Sequence, residues 1–330
     1  MANNSFWEGK RVLVTGGTGT FGRAFVRKIL ETGVERVIVF SRDEFKQYQM
    51  RQDFTDPRVH FFIGDIRDLP RLERAFNGVD IVVHAAALKQ VPAIEYNPIE
   101  AVKTNVNGTQ NVIDAALNQN VERVMVISSD KAVQPINLYG ATKLCAERLA
   151  VASNAYRGAT GKTRVSVMRY GNVLGSRGSI VELIENQKDS GEIPLTDERM
   201  TRFWIHIEDV IGRVLKAIEL MEGGETFVPN MKSSSVTSMI SLLAPNCKMK
   251  VIGMRPGEKL HETLITEYEI SRTKDLGDIF VILPEFQPWK SDFPFAKYPD
   301  LSPDVVYASN SPFCLVESAQ DVEVLIKPKQ

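Results

Sequence analysis

Cysteine is scarce: Cys145, Cys247 and Cys314 are the only three in 330 residues, odd in number and far apart, which excludes a disulfide framework or a thiolate metal site. The four histidines, His60, His84, His206 and His261, are equally scattered, so no metal is expected. No apolar run reaches the roughly 18–20 residues needed to span a bilayer, so no membrane partner is expected. The opening MANNSFWEGKR carries no apolar signal core, and the expectation is a cytoplasmic protein. An excess of one charge is also missing. Forty Lys and Arg against 41 Asp and Glu leave a net charge of −1, which argues against a nucleic-acid partner. A hydrophobic content of 43% with 25% charged residues excludes wholesale disorder.

The first half alternates short runs rich in Val and Ile with amphipathic stretches. Arg11–Thr15, Arg36–Phe40, Val59–Ile63, Asp80–His84 and Arg123–Ser128 have the length and composition of buried strands. Helical patterns fall at Phe21–Leu30, Asp43–Phe54, Leu69–Phe76, Pro98–Asn118 and Tyr139–Tyr156, and Arg164–Arg169 supplies a sixth strand. Such alternation predicts a doubly wound α/β fold, a parallel sheet covered on both faces. The second half is less regular, with helices expected at Ile207–Leu220, Val236–Leu243 and Glu258–Ile265. From Pro284 on, seven of the 16 prolines exclude a regular helix or central strand, and Trp289, Phe293, Phe295 and Tyr298 suggest a tail laid over the surface.

The first strand runs into Thr15-Gly16-Gly17-Thr18-Gly19-Thr20-Phe21-Gly22. Glycines at 16, 19 and 22 permit a tight turn, close approach of a pyrophosphate to backbone N–H groups and close helix packing, with a helix dipole aimed at the phosphates. The second strand ends Ser41-Arg42-Asp43, followed by Lys46, where an NAD site would usually end in an acid. Arg42 and Lys46 suit a 2′-phosphate, and Asp43 comes one residue late, so NADP is favoured over NAD. Asp65, before Ile66, ends the third strand, where it can accept from the adenine amino group, and Ala85-Ala86-Ala87 gives small side chains beside the cofactor.

Tyr139 and Lys143 stand one helical turn apart, on one face. A nearby ammonium favours the phenolate and brings a tyrosine into range as a base. Ser128-Ser129-Asp130-Lys131 closes strand five about ten residues earlier, with Ser129 the hydroxyl that completes the set.

Together these features resemble the extended short-chain dehydrogenase/reductase superfamily. Thr15–Gly22, Ser41–Lys46, FIGDIRD at 62–68, HAAALKQ at 84–90, EYNP at 95–98, SDKA at 129–132, NLYGATK at 137–143, RYGNVLGSRG at 169–178, MTRFW at 200–204 and RPGEKLHE at 255–262 resemble the inverting UDP-N-acetylglucosamine 4,6-dehydratases, which open the pseudaminic acid pathway. The resemblance covers about residues 10–265 and none of the tail. It implies a Rossmann-like NADP-binding domain over 1–170 with later segments returning to it, a smaller mixed α/β substrate-binding domain over 171–283, and a C-terminal tail over 284–330. NADP would touch Gly16, Thr18, Gly19, Thr20, Phe21, Gly22, Ser41, Arg42, Asp43, Lys46, Asp65, Ile66, Ala85, Ala87, Lys89, Tyr139 and Lys143.

The resemblance also implies the chemistry. Hydride leaves C-4 of the sugar while Tyr139 takes the hydroxyl proton, Lys131 removes the C-5 proton, Asp130 helps water leave C-6, and C-5 is reprotonated from the opposite face by Tyr139 or a water near it. Dehydratases of the dTDP-glucose kind are expected to carry Asp-Glu where this chain has Asp130-Lys131. For Lys131 to act as a base, its pKa is expected to fall well below roughly 10.4, through burial or a positive neighbour such as Lys143. The UDP-sugar would meet Lys89, Asn172, Arg177, Thr196, Met200, Arg255 and Glu258, and His206 reads as structural, at a helix head. A homo-oligomer, a hexamer in the form suggested, is implied. Competing readings are a retaining dehydratase, an enzyme stopping at a 5,6-unsaturated sugar, a non-catalytic NADP sensor, which Tyr139 and Lys143 oppose, and a 4-epimerase, which Lys131 opposes.

Overall fold

The computed structural model describes residues 4–156, 161–176, 180–287, 289 and 294–327. The Val- and Ile-rich runs extend because branched side chains pack well on a pleated surface. They form β1 (Arg11–Thr15), β2 (Arg36–Ser41), β3 (Val59–Ile63), β4 (Ile81–His84), β5 (Arg123–Ser129) and β6 (Arg164–Tyr170), all paired in parallel. The later strands are β7 (Asn172–Val173), β8 (Glu192–Leu195), β9 (Thr201–Ile205), β10 (Thr226–Pro229), β11 (Lys232–Ser235), β12 (Lys248–Val251), β13 (Thr263–Ile265), β14 (Thr273–Asp275), β15 (Ile279–Ile282) and β16 (Tyr307–Ala308).

Among the described residues the large sheet has nine strands in the order β14-β15-β10-β6-β5-β4-β1-β2-β3. It is not parallel throughout: β10 pairs in parallel with β6, but β15 runs antiparallel to both of its neighbours, β10 and the edge strand β14. The opposite edge strand, β3, is only half-buried, because no further strand covers it. The chain winds from β1 outward to β3 and then returns to β4 on the other side of β1. That reversal opens a crevice at the C-terminal strand ends.

Helices Thr20–Ile29, Glu44–Asp53 and Leu69–Phe76 cover the sheet close to their expected bounds. Asp43 and Asp68 cap the last two, accepting from the backbone N–H groups of Lys46 and Arg71. Phe25, Val26 and Ile29 are fully buried, each burial contributing about 1.5–3 kcal/mol. The stretch 98–118 is not one helix: Pro98–Ala101 leads through a π-helical segment, Val102–Asn107, into Gly108–Asn118. The segment carries Asn105, which brackets both backbone groups of Leu88 and donates to the Thr142 hydroxyl at 3.0 Å. No helix among the described residues is long and apolar enough to cross a membrane.

Two expectations are corrected. Glu258–Ile265 is no helix; a turn around Gly257 leads into β13, which pairs antiparallel with β16. Helix-forming side chains there are overruled by a partner strand far along the chain. The segment after Pro284 is no surface tail either. Phe295 and Tyr307 are fully buried, and Ala319–Ile326 is a helix. The Tyr307 hydroxyl donates to the Pro229 carbonyl at 2.7 Å and accepts from the Met231 N–H at 2.5 Å. Prolines break regular elements without preventing burial of the aromatics between them. Phe293 lies outside the described residues.

Candidate active site

The crevice above β1, β2, β4 and β5 holds a cleft of about 690 Å3. Most residues expected at a cofactor line it: Gly16, Thr18, Gly19, Thr20 and Phe21 from the first turn, Ser41, Arg42, Asp43 and Lys46 from the second, Asp65 and Ile66, then Ala85, Ala87 and Lys89. Gly22 does not line it. A Cβ there would stand 2.4 Å from Gly17 Cα, so this glycine lets the helix pack against the turn that follows β1. The cleft fits a polar ligand on structural grounds. The Ser128 and Thr104 hydroxyls and Asn172 Oδ1 are buried, accept or donate no hydrogen bond among the described residues, and belong to residues lining it.

Around the end of β2 the charges are already engaged. Arg42, its side chain 56% exposed, lies 3.9 Å from Asp65, and Lys46 pairs with Asp43 at 2.8 Å. Burial would raise the Asp65 carboxyl, but hydrogen bonds from Arg67 hold it below its ordinary value.

Ser129, Lys131, Tyr139 and Lys143 share the cleft floor, while Asp130 is buried behind it. Asn137 caps the helix Leu138–Ala152, which carries Tyr139 and Lys143. Gly140 on that helix is obligatory, since a Cβ would stand 2.1 Å from the Lys131 carbonyl oxygen. Asp130 Oδ1 accepts from the Ser129 hydroxyl at 2.7 Å and from Lys131 Nζ at 3.1 Å.

The electrostatics reverse one expectation. Burial disfavours the Lys131 ammonium, but Asp130 and Glu262 outweigh it and hold its pKa above, not below, the lysine range. Lys143 is the lysine that falls, to about 8, because burial outweighs the pull of Glu147, and its Nζ donates to the Ile127 carbonyl at 2.5 Å. Burial raises the Tyr139 phenol; the ammonium that opposes this is Lys131, not Lys143, helped by a hydrogen bond with Ser129. His84, bonded to Thr15 and Thr109, is held neutral by burial and by Lys143, with a pKa of about 3.

Lys143 titrates lower in the folded chain than in the unfolded one. Its charge therefore destabilises the fold fully below about pH 8, and the penalty vanishes as pH rises from there to 10.5. Lys143→Met is expected to raise the stability of the ligand-free protein by up to about 3 kcal/mol near neutral pH. The gain should disappear toward alkaline pH; thermal melts across that range check it, and a gain unchanged by pH would refute the buried-charge account.

The substrate-side residues are only partly brought together. Asn172 lines the cleft, whereas Thr196, Arg255 and Glu258 do not, and Arg177 lies outside the described residues. Met200 does not line the cleft either: it is buried in an apolar cluster with Trp204 and Ile240, its sulfur 3.4 Å from Arg202. The loop bearing Arg255 and Glu258 is tied to the turn between β5 and the helix Leu138–Ala152, with Asn137 Nδ2 donating to the Gly257 carbonyl at 2.7 Å and Lys259 Nζ to that of Val133 at 2.6 Å. His206 stands at the head of Ile207–Leu220. Sequence reasoning missed Tyr170, Ser128 and Thr104 in the cleft and Glu262 behind it. Glu262 closes the RPGEKLHE motif, the one signal that could have found it.

A family model described as polysaccharide biosynthesis protein matches residues 12–284. A Campylobacter jejuni protein named UDP-N-acetylglucosamine 4,6-dehydratase (inverting) is 46% identical, covering 87% of this chain and 87% of that protein. A Rickettsia rickettsii protein named UDP-glucose 4-epimerase is 41% identical over 88% of this chain and 86% of that one. Among solved structures, Pen from Bacillus thuringiensis superposes with a TM-score of 0.87 at 37% identity, covering 97% of this chain and 99% of that one. The dTDP-glucose 4,6-dehydratase DesIV from Streptomyces venezuelae, with NAD bound, gives 0.67 at 26% identity, covering 76% and 86%.

Proposed function

The chain belongs to the polysaccharide biosynthesis protein family, and from that premise we propose that it is a UDP-N-acetylglucosamine 4,6-dehydratase that inverts C-5. The observation that carries this reading is Lys131 on the cleft floor, 3.1 Å from Asp130 and beside Tyr139. A bound nicotinamide supplies reversible storage of the hydride that moves from C-4 to C-6. The remaining work falls to side chains. Tyr139 accepts the C-4 hydroxyl proton, and Ser129 orients the phenol through their hydrogen bond. Lys131 removes the C-5 proton acidified by the 4-keto group, Asp130 delivers a proton to the departing C-6 hydroxyl, and Tyr139 returns its proton to the opposite face of C-5. Asn172, Arg255, Glu258, Thr196 and Arg177 are assigned to the UDP-sugar, the arginines to its diphosphate.

NADP is the preferred cofactor in this reading because Arg42 and Lys46 both flank the end of β2. Arg42→Ala is expected to weaken NADP roughly ten- to a hundredfold while leaving NAD nearly unchanged. Calorimetric titration of both cofactors checks this, and equal losses would remove the 2′-phosphate assignment.

Incubation with UDP-N-acetylglucosamine in deuterated water, followed by proton NMR, tests the function. The expected product is a 6-deoxy-4-keto sugar, deuterated at C-5 with inverted coupling. The name of the Rickettsia relative favours a second reading, 4-epimerisation, which would give a sugar keeping its C-6 hydroxyl. Retained C-5 coupling or a vinylic signal would point to the other dehydratase outcomes, and no turnover to a sensor. A homo-oligomer, as a hexamer, belongs to the same reading, and light scattering measures it.

A further inference from the structure

Behind Lys131 lies an acid to which the reaction scheme assigns no work. The Glu262 side chain is 3% exposed, with Oε1 3.7 Å from Lys131 Nζ and Oε2 3.7 Å from Lys259 Nζ. Oε2 accepts no hydrogen bond among the described residues. Its backbone is clamped by the C-terminal segment: the Glu262 N–H donates to Ser309 Oγ at 2.9 Å, and its carbonyl accepts from the Ser309 N–H at 2.8 Å. One ammonium thus sits between two buried carboxylates that are not equivalent. Asp130 Oδ1 is stabilised as an anion by two donors, Ser129 and Lys131. Lys259 is drawn to the Val133 carbonyl, and the Arg202 guanidinium donates to the carbonyls of residues 201, 259 and 260, so neither cation makes a close hydrogen bond to Glu262. A buried carboxylate short of donors is the better proton acceptor. Burial accordingly raises the pKa of Glu262 despite the pull of Lys131, with Asp130 adding to the rise.

We propose that Glu262 is the positioning residue that takes the resting proton of Lys131, so that Lys131 meets C-5 of the sugar as a neutral amine. The proposal rests on the dehydratase reading and supplies what the raised pKa of Lys131 otherwise denies. An N–H bond of the ammonium breaks and an O–H bond forms on Glu262, leaving the pair neutral overall. The amine then takes the C-5 proton, which crosses to Asp130 and on to the hydroxyl leaving C-6. The Glu262 proton finally returns to Lys131. No proton is gained or lost over the cycle, because the C-4 hydroxyl proton held by Tyr139 goes to C-5. The charged and titratable groups facing this exchange are Asp130, Lys259, Arg202 and Tyr139.

The test compares Glu262→Gln and Glu262→Asp with the unmodified protein in deuterated water, reading C-5 deuteration by NMR and reduced nicotinamide by its near-ultraviolet absorbance. In Glu262→Gln, C-4 oxidation should persist while C-5 exchange falls about a hundredfold near neutral pH. The lost rate should return with rising pH, because the amine must then form by losing its proton to solvent. Glu262→Asp keeps an acid and should show a pH profile like that of the unmodified protein; it carries the test alone if Glu262→Gln does not fold. Exchange at the unmodified rate in Glu262→Gln overturns the proposal. So does a loss equal at every pH that aspartate does not relieve, the mark of a structural role. An unmodified protein that neither reduces its nicotinamide nor exchanges C-5 overturns the dehydratase reading instead.

Discussion

A Lys131→Ala protein is expected to lose C-5 proton exchange and product formation by about 10²- to 10⁴-fold, the range for removal of a positioned acid–base group. The nicotinamide should still bind and still become reduced, since the proposed scheme assigns C-4 oxidation to Tyr139. That first step should slow and shift to higher pH, because Lys131 is the ammonium that opposes the burial of the Tyr139 phenol. The variant also leaves Asp130 and Glu262 buried without their shared cation, at a cost of about 3–5 kcal/mol if both ionise. Glu262 binds its proton more tightly folded than unfolded, so ionising it destabilises the fold. The part of the Lys131→Ala stability deficit that comes from Glu262 should therefore be small below about pH 4.5 and grow as pH rises. Single-turnover absorbance, deuterium exchange and thermal melts measure the three parts. Undiminished C-5 exchange would remove Lys131 from the reaction.

Tyr139→Phe should fail one step earlier. C-4 oxidation is expected to fall about 10²- to 10⁴-fold, so no reduced nicotinamide accumulates. C-5 exchange should vanish with it although Lys131 is intact, because the C-5 hydrogen is acidic only beside a 4-keto group. Supplying the 4-keto sugar directly should restore loss of the C-5 hydrogen in Tyr139→Phe but not in Lys131→Ala. The fold should be little affected, since the ring stays and the Asn137 cap of its helix is untouched. Cofactor reduction at the unmodified rate in Tyr139→Phe would assign the C-4 proton to another group.

Much of this site was legible in the residues because it is local. A strand, a glycine turn and a helix stand within Arg11–Ile29, and Tyr139 and Lys143 are one turn apart on one helix. Periodicity and short-range sterics fix such units. The failures share a cause, which is a partner far along the chain. Residues 263–265 read as helix on their own and become β13 because Tyr307–Ala308 pairs with them. The prolines after residue 284 forbid regular elements locally, yet Phe295 and Tyr307 are drawn into the core by burial of their rings.

Lys131 shows the division most sharply. Residue type and spacing put a lysine after Asp130 at the end of a buried strand, in a chain whose alternating runs had already given the kind of fold. They could not assign its proton affinity. That depends on how far burial is offset by charges, and Glu262 reaches Lys131 only because β13 is paired to the C-terminal segment. Backbone periodicity and tight turns are written over a few neighbouring residues, whereas the energy of a charge in a protein interior is set by every group within several ångströms, whatever its place in the chain.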